Sequence, residues 1–101
     1  MQLTLQTINF QTFEALENFV NSLAQKRFGK LDFVQSINVY IKKSNDPIVP
    51  WVSEIELKPI KGAAIYSEAQ SANYLSAFSQ SVTRMQRQIE KYKGKHFKNR
   101  A

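Results

Sequence analysis

The chain has 101 residues, 43% of them apolar, with only three Gly and three Pro; this suits one two-layer core and excludes a disordered or fibrous segment. Its lack of cysteine and its single histidine, His96, exclude disulfides, thiolate zinc sites, cysteine nucleophiles and histidine triads. Fourteen basic residues against eight acidic ones leave a net charge of +6, which points to a polyanionic partner.

From Gln2 to Ile8 the chain alternates, with Leu3 and Leu5 on one face and Gln2, Thr4 and Gln6 on the other. This predicts a half-buried strand at the N-terminus, not a secretory signal, and the default compartment is the cytoplasm. No apolar run approaches the ~18 residues of a membrane span, so no membrane association is expected. The polar turn Asn9–Thr12 offers helix caps. Glu14 and Glu17 suit the positive end of a helix dipole, and Phe13, Leu16, Phe19, Val20 and Leu23 recur at helical spacing. Lys26, Arg27 and Lys30 fall toward the end of that helix, and Gly29 marks its stop.

Ile37, Val39 and Ile41 alternate with Asn38, Tyr40 and Lys42, which predicts a second strand. Ser44–Pro47 is a loop, extended by Pro50. Trp51 opens a third strand and anchors the edge of the core, with Ser53, Ile55 and Leu57 on one face and Val52, Glu54, Glu56 and Lys58 on the other. After a turn at Pro59–Gly62, Ala63, Ile65, Ser67 and Ala69 face inward on a fourth strand, with Ala64, Tyr66 and Glu68 outward. Leu75, Phe78, Val82, Met85, Ile89 and Tyr92 then keep near-heptad spacing in a long amphipathic helix that Gly94 ends. The order is β-α-β-β-β-α. The first helix is a crossover between parallel neighbours, and the other strands form an antiparallel meander. The expected class is α+β, a four-stranded mixed sheet with two helices on one face, as a single domain over residues 1–94 followed by a basic tail, 95–101.

The charge is unevenly placed. Seven basic and seven acidic residues balance through Thr83, whereas the last eighteen residues hold seven basic residues and one acid, Glu90. On a helical wheel Arg84, Arg87, Lys91, Lys95 and Lys98 fall in one sector away from the apolar stripe. Neighbours there lie about 5–6 Å apart, close to the spacing of phosphates along a nucleic-acid strand. Arg clamps phosphate oxygens, Lys supplies point charge, and neutralised phosphates release counterions. The plainer account of the same charges is a solvated helix face. Lys26, Arg27 and Lys30 either extend the basic surface or only complement their own helix end. Tyr92 reads as a residue closing the core and His96 as an exposed linker; Phe97 either packs back or stacks on a base. The opposite sheet face carries Glu54, Glu56 and Glu68, which disfavours base stacking there, and no RNP-like run occurs. Phosphate and groove shape are therefore the expected targets. No catalytic constellation or phosphate loop is present in the sequence; no enzymatic activity, cofactor, metal or small-molecule substrate is expected.

Several motifs resemble one family. Glu14-Ala15-Leu16 with Phe19-Val20 is similar to its E-A-L-x-x-F-V first helix. Ile65–Ala69 followed by Asn73–Phe78 resembles its passage from last strand to last helix, and Arg87-Gln88-Ile89-Glu90-Lys91-Tyr92-Lys93 resembles its R-Q-L-x-K-H/Y-K signature. The family is that of the ribosome hibernation promoting factors, also called the sigma-54 modulation or ribosome-associated inhibitor family, and the chain resembles its short form. Asn73 and Leu75 stand where the family has Asp and Tyr. The resemblance implies a double-stranded-RNA-binding-domain-like fold. It also implies docking on small-subunit rRNA in the mRNA/tRNA channel, silencing ribosomes when growth stops. It carries the basic signature onto Arg84, Arg87, Lys91 and Lys93, so Lys93 joins Lys95 and Lys98 as an expected RNA contact. The alternative is a basic protein-interaction module that modulates an acidic partner such as a transcription factor.

Overall fold

The alternating segments form four strands and the two amphipathic segments form helices. The computed structural model describes residues 1–97. Its elements are β1 (Gln2–Ile8), α1 (Glu14–Phe28), β2 (Val34–Lys43), β3 (Trp51–Pro59), β4 (Ile65–Ser71) and α2 (Tyr74–Phe97). The sheet order is β1-β2-β3-β4, with β1 parallel to β2 and the other pairs antiparallel. The α+β class and the β-α-β-β-β-α order expected from the sequence are those of the molecule.

Both helices feed one core. Leu16, Val20, Ala24 and Phe28 of α1 join Ile37, Val39 and Ile41 of β2, Ile55 and Leu57 of β3, and Phe78, Val82, Met85 and Ile89 of α2. Each fully buried large side chain contributes roughly 1.5–3 kcal/mol, so this shared core supplies the main driving force. The helices meet where the Phe19 and Phe78 rings lie edge to face at 5.8 Å.

Strand directions decide where the helices end. Both helices run against β1, β2 and β4, so both C-termini reach the end of the sheet that holds the β3–β4 turn. Tyr92 closes that end. Its ring stacks on Phe33 at 5.1 Å, and its hydroxyl donates to the Lys61 carbonyl at 2.7 Å. Gly62 turns the chain there with φ 105°, a conformation that a side chain would strain. At the other end Trp51 packs edge-on against Phe10 and Tyr74, at 5.0 and 5.8 Å.

Four local expectations are corrected. Helix α2 runs through Gly94 to Phe97, so His96 belongs to its last turn and is no linker. A side chain at Gly94 would meet open space, so the glycine costs only its backbone entropy of about 1 kcal/mol, and no packing there forces a stop. Leu75 is 46% exposed, and Tyr74 beside it is the residue packed on the core. The buried face includes Ala77 and Ser81, which rotates it toward Tyr74. Ala63 is exposed ahead of β4 and does not face inward. Helix α1 begins at Phe13 as its N-cap, with no side-chain cap; Thr12 instead hydrogen bonds Glu17 at 3.1 Å.

Candidate nucleic-acid interface

Helix α2 carries no carboxylate before Glu90, so its outward face is built of hydroxyls, amides and cations. Ser76, Ser79, Gln80, Thr83, Arg84 and Arg87 line one continuous shelf, and Lys91 and Lys95 continue it toward the C-terminal end. Arg84, Arg87, Lys91 and Lys95 are all exposed and fall within a sector of about 80° on the wheel. The Ser76 and Ser79 hydroxyls and the second Gln80 N–H can donate to a phosphate oxygen, whereas the Thr83 hydroxyl already donates to the Ser79 carbonyl at 3.1 Å; each cation adds charge.

The roll of α2 on the sheet sets where this face points. The buried Ser81 hydroxyl donates to the Phe78 carbonyl at 2.8 Å and lies 2.8 Å from the buried Ser53 Oγ of β3. With its proton so committed, Ser81 accepts from Ser53. Ser67 of β4 donates to the Ser81 carbonyl at 2.9 Å. Three serines thus fix the helix to two strands. One turn on, Arg84 Nη1 donates to the Glu68 carbonyl of β4 at 2.6 Å. That bond holds the guanidinium against the edge strand and leaves its other N–H groups outward.

Among the described residues the one ion pair formed by a basic side chain is Lys93–Glu90, at 3.6 Å. Lys93 therefore differs from the other expected contacts: it lies off the shared sector and has a carboxylate beside it. Lys98 lies outside the described residues. Lys26, Arg27 and Lys30 are exposed near the end of α1, at the same end of the sheet as Lys91 and Lys95. Lys58 and Lys61, in and beside the β3–β4 turn, join them there. The sequence alone does not single out these two lysines. The signal lay in the strand directions, which bring both helix ends and this turn together.

The outer sheet face has the opposite character. Glu54 and Glu68 are cross-strand partners. Partial burial pushes the Glu54 carboxyl above its ordinary range, and the hydrogen bond and repulsion from Glu68 push it further, against a smaller pull from Lys42. Glu56 lies below its ordinary range because it accepts from Asn38 at 3.0 Å and from the Tyr66 hydroxyl at 2.9 Å. The same bond raises the Tyr66 phenol. With Lys42 and Lys58 beside these acids the outer face is mixed in charge, whereas the row of cations on α2 has no such partners within ion-pair distance among the described residues. No group of three or more His, Asp or Glu among the described residues could hold a metal ion, and no described helix is long and apolar enough to cross a membrane.

A family profile described as "Sigma 54 modulation protein / S30EA ribosomal protein" matches residues 3–96. The chain belongs to that family. The matched stretch holds β1 from Leu3 onward, the other three strands, α1 and α2 as far as His96, and so includes every described cation. Two solved structures share the fold. A ribosomal subunit interface protein from Coxiella burnetii superposes with a TM-score of 0.75 at 17% identity, covering 92% of this chain and 96% of the other. The N-terminal domain of Thermus thermophilus Protein Y superposes with a TM-score of 0.76 at 17% identity, covering 91% and 99%. At that identity the likeness concerns the fold. Direct sequence comparison with curated proteins gives no significant match.

Proposed function

We propose that this chain is a ribosome-associated translation silencer that docks on the small subunit when growth stops, with the outward face of α2 against rRNA in the mRNA/tRNA channel. Family membership supports the ribosome as partner and, with it, the cytoplasm as the place of action. The observation that carries the RNA-facing orientation is the row of Arg84, Arg87, Lys91 and Lys95, exposed on one face of α2 with no carboxylate among the described residues within ion-pair distance of any of the four. In this reading these four are the principal phosphate contacts. Lys93 contributes less because Glu90 screens it; the expected contact at Lys98 lies outside the described residues. Lys26, Arg27 and Lys30, with Lys58 and Lys61, form a second cationic surface at the end of the sheet. The reading requires no catalytic step, cofactor or small-molecule substrate; occlusion by a rigid body is sufficient.

Co-sedimentation with purified small subunits tests it. The wild-type chain should pellet with the subunit at moderate salt. The double variant Arg87→Glu, Lys91→Glu should remain in the supernatant with an unchanged circular dichroism spectrum. A double variant that pellets like wild type refutes the assignment to α2. Complexes should also dissolve when rRNA is digested; persistence after digestion would instead favour an acidic protein partner.

A further inference from the structure

Beyond the exposed shelf, a groove runs between the start of β4 and the C-terminal half of α2, and nothing in the reading above assigns it a ligand. Ala64 and Ile65 form its apolar floor, Tyr66 stands at its lip, and Gln88, Lys91 and Lys95 line the helix side. The groove is polarised. Tyr66 also borders the outer sheet face, where Glu54, Glu56 and Glu68 outnumber Lys42 and Lys58, so the surface beyond one lip is mixed with acids in excess and the other lip carries only positive charge. An occupant must present its anionic part to the lysines and a flat apolar part to the floor. The Tyr66 ring is 64% exposed, yet its hydroxyl is held by Glu56, so it is an oriented surface and not a freely rotating side chain.

The backbone adds the means to read an edge. β4 is the open edge of the sheet, and its Glu68 carbonyl points outward, because Arg84 reaches it from α2. By the alternation of an antiparallel ladder, Tyr66, two residues earlier, turns its own N–H and C=O the same way. The bond from Arg84 also closes the edge at Glu68, so the remaining length beside the groove is too short for an added peptide strand. It suits one planar group with donors and acceptors on its rim.

We propose that this groove takes a single unpaired nucleotide of the bound RNA, its phosphate on Lys91 and Lys95, its base over the Ala64–Ile65 floor beside Tyr66, and its rim within reach of Gln88 and the Tyr66 backbone. The proposal rests on the RNA-binding reading of α2 and narrows it, since recognition then includes a base out of its helix and not only phosphate and groove shape. A stacked base is the kind of contact that discriminates single-stranded from duplex RNA.

The test is fluorescence anisotropy of the full chain with a labelled oligoadenylate and with a labelled RNA duplex of equal nucleotide count. Ala64→Phe fills the floor, and Tyr66→Ala removes the lip without adding bulk; thermal melts establish that each variant folds. Each should weaken oligoadenylate binding about tenfold, the loss of roughly one stacked base, and leave duplex binding unchanged. Variants that leave oligoadenylate affinity intact, or that weaken both RNAs equally, overturn the groove proposal while the cationic face stands. A wild-type chain that binds neither RNA overturns the RNA-binding reading itself, and the groove proposal with it.

Discussion

The charge geometry of α2 fixes a number that can be measured: the salt dependence of RNA binding. Four exposed cations, Arg84, Arg87, Lys91 and Lys95, share one face. Arg84 has one N–H group committed to Glu68, but its charge and its other donors remain available. Each phosphate neutralised contributes between about 0.7 and 0.9 to the slope of log affinity against log salt. Four contacts therefore predict a slope near −3, and binding that falls about 50- to 150-fold over a fourfold rise in salt. Replacing Arg87 and Lys91 by Gln removes two contacts without adding repulsion, so the slope should halve and the loss over the same range shrink to about tenfold. Lys93→Gln should change the slope much less, because Glu90 already lies 3.6 Å from its ammonium. The assay is a titration of labelled small-subunit rRNA with the protein at four or more salt concentrations. A wild-type slope near zero, or a slope that the double substitution leaves untouched, would show that these cations are a solvated surface. A wild-type slope much steeper than −3 that falls on replacing Lys26, Arg27 and Lys30 would place the end of the sheet in the interface as well.

Three further outcomes follow from the packing. Ser81→Ala strands the buried Ser53 hydroxyl and should cost about 1–3 kcal/mol in urea denaturation, whereas the double variant with Ser53→Ala should cost less than the sum of the singles; strict additivity would refute the coupling. Glu68→Gln relieves the cross-strand repulsion on Glu54 and should stabilise the fold at neutral pH by a few tenths of a kcal/mol. The folded pKa of Glu54 lies above its unfolded value, so its favourable contribution is complete below the unfolded pKa and is lost as pH rises through the folded one. The gain from Glu68→Gln should accordingly vanish in acid, and a gain independent of pH would point to another cause. Tyr92→Phe keeps the ring on Phe33 but loses the bond to the Lys61 carbonyl, which should cost about 1 kcal/mol in the same denaturation assay; an unchanged midpoint would mean that α2 needs no tether there.

Elements with a clean period were legible in the sequence. The alternation of Leu3 and Leu5, of Ile37, Val39 and Ile41, and of Ser53, Ile55 and Leu57 places each strand's inward face correctly. The details that were not legible have a common cause. An apolar stripe read on a helical wheel counts only large apolar residues, but small and polar residues at buried positions also mark where a helix touches a sheet. Ala77 and Ser81 are fully buried, and they shift the buried face enough to bring Tyr74 in and leave Leu75 out. Gly94 misled for a related reason: helix propensity is local, whereas α2 is held by tertiary contacts such as those of Tyr92 with Phe33 and Lys61 just before it. Of the candidate site, the α2 sector was readable as a periodicity. The gathering of Lys26, Arg27 and Lys30 with Lys58, Lys61 and Lys91 was not, because those residues are far apart in sequence and only the strand directions join them.

On the proposed reading, the placement of the acids favours one orientation of a chain of modest net charge toward a polyanion. A uniformly basic domain would meet rRNA with any face. Here Glu54, Glu56 and Glu68 concentrate on the outer sheet face, only partly offset by Lys42 and Lys58, while the row of α2 cations lies on the far layer, so a phosphate backbone is favoured on that layer over the sheet face. Like-charge contact costs energy in the wrong pose, and that cost selects the correct one as surely as the favourable contacts do. The carboxylates are also locally useful. Glu56 orients Tyr66 at the lip of the groove, and the repulsion between Glu54 and Glu68 is tolerated because a short, well-packed sheet with a shared core loses only a few tenths of a kcal/mol to it. Replacing Glu54 or Glu68 by Gln should therefore leave the protein slightly more stable and more strongly attracted to RNA, yet less selective in how it docks, whereas replacing Glu56 also gives up its bonds to Asn38 and Tyr66.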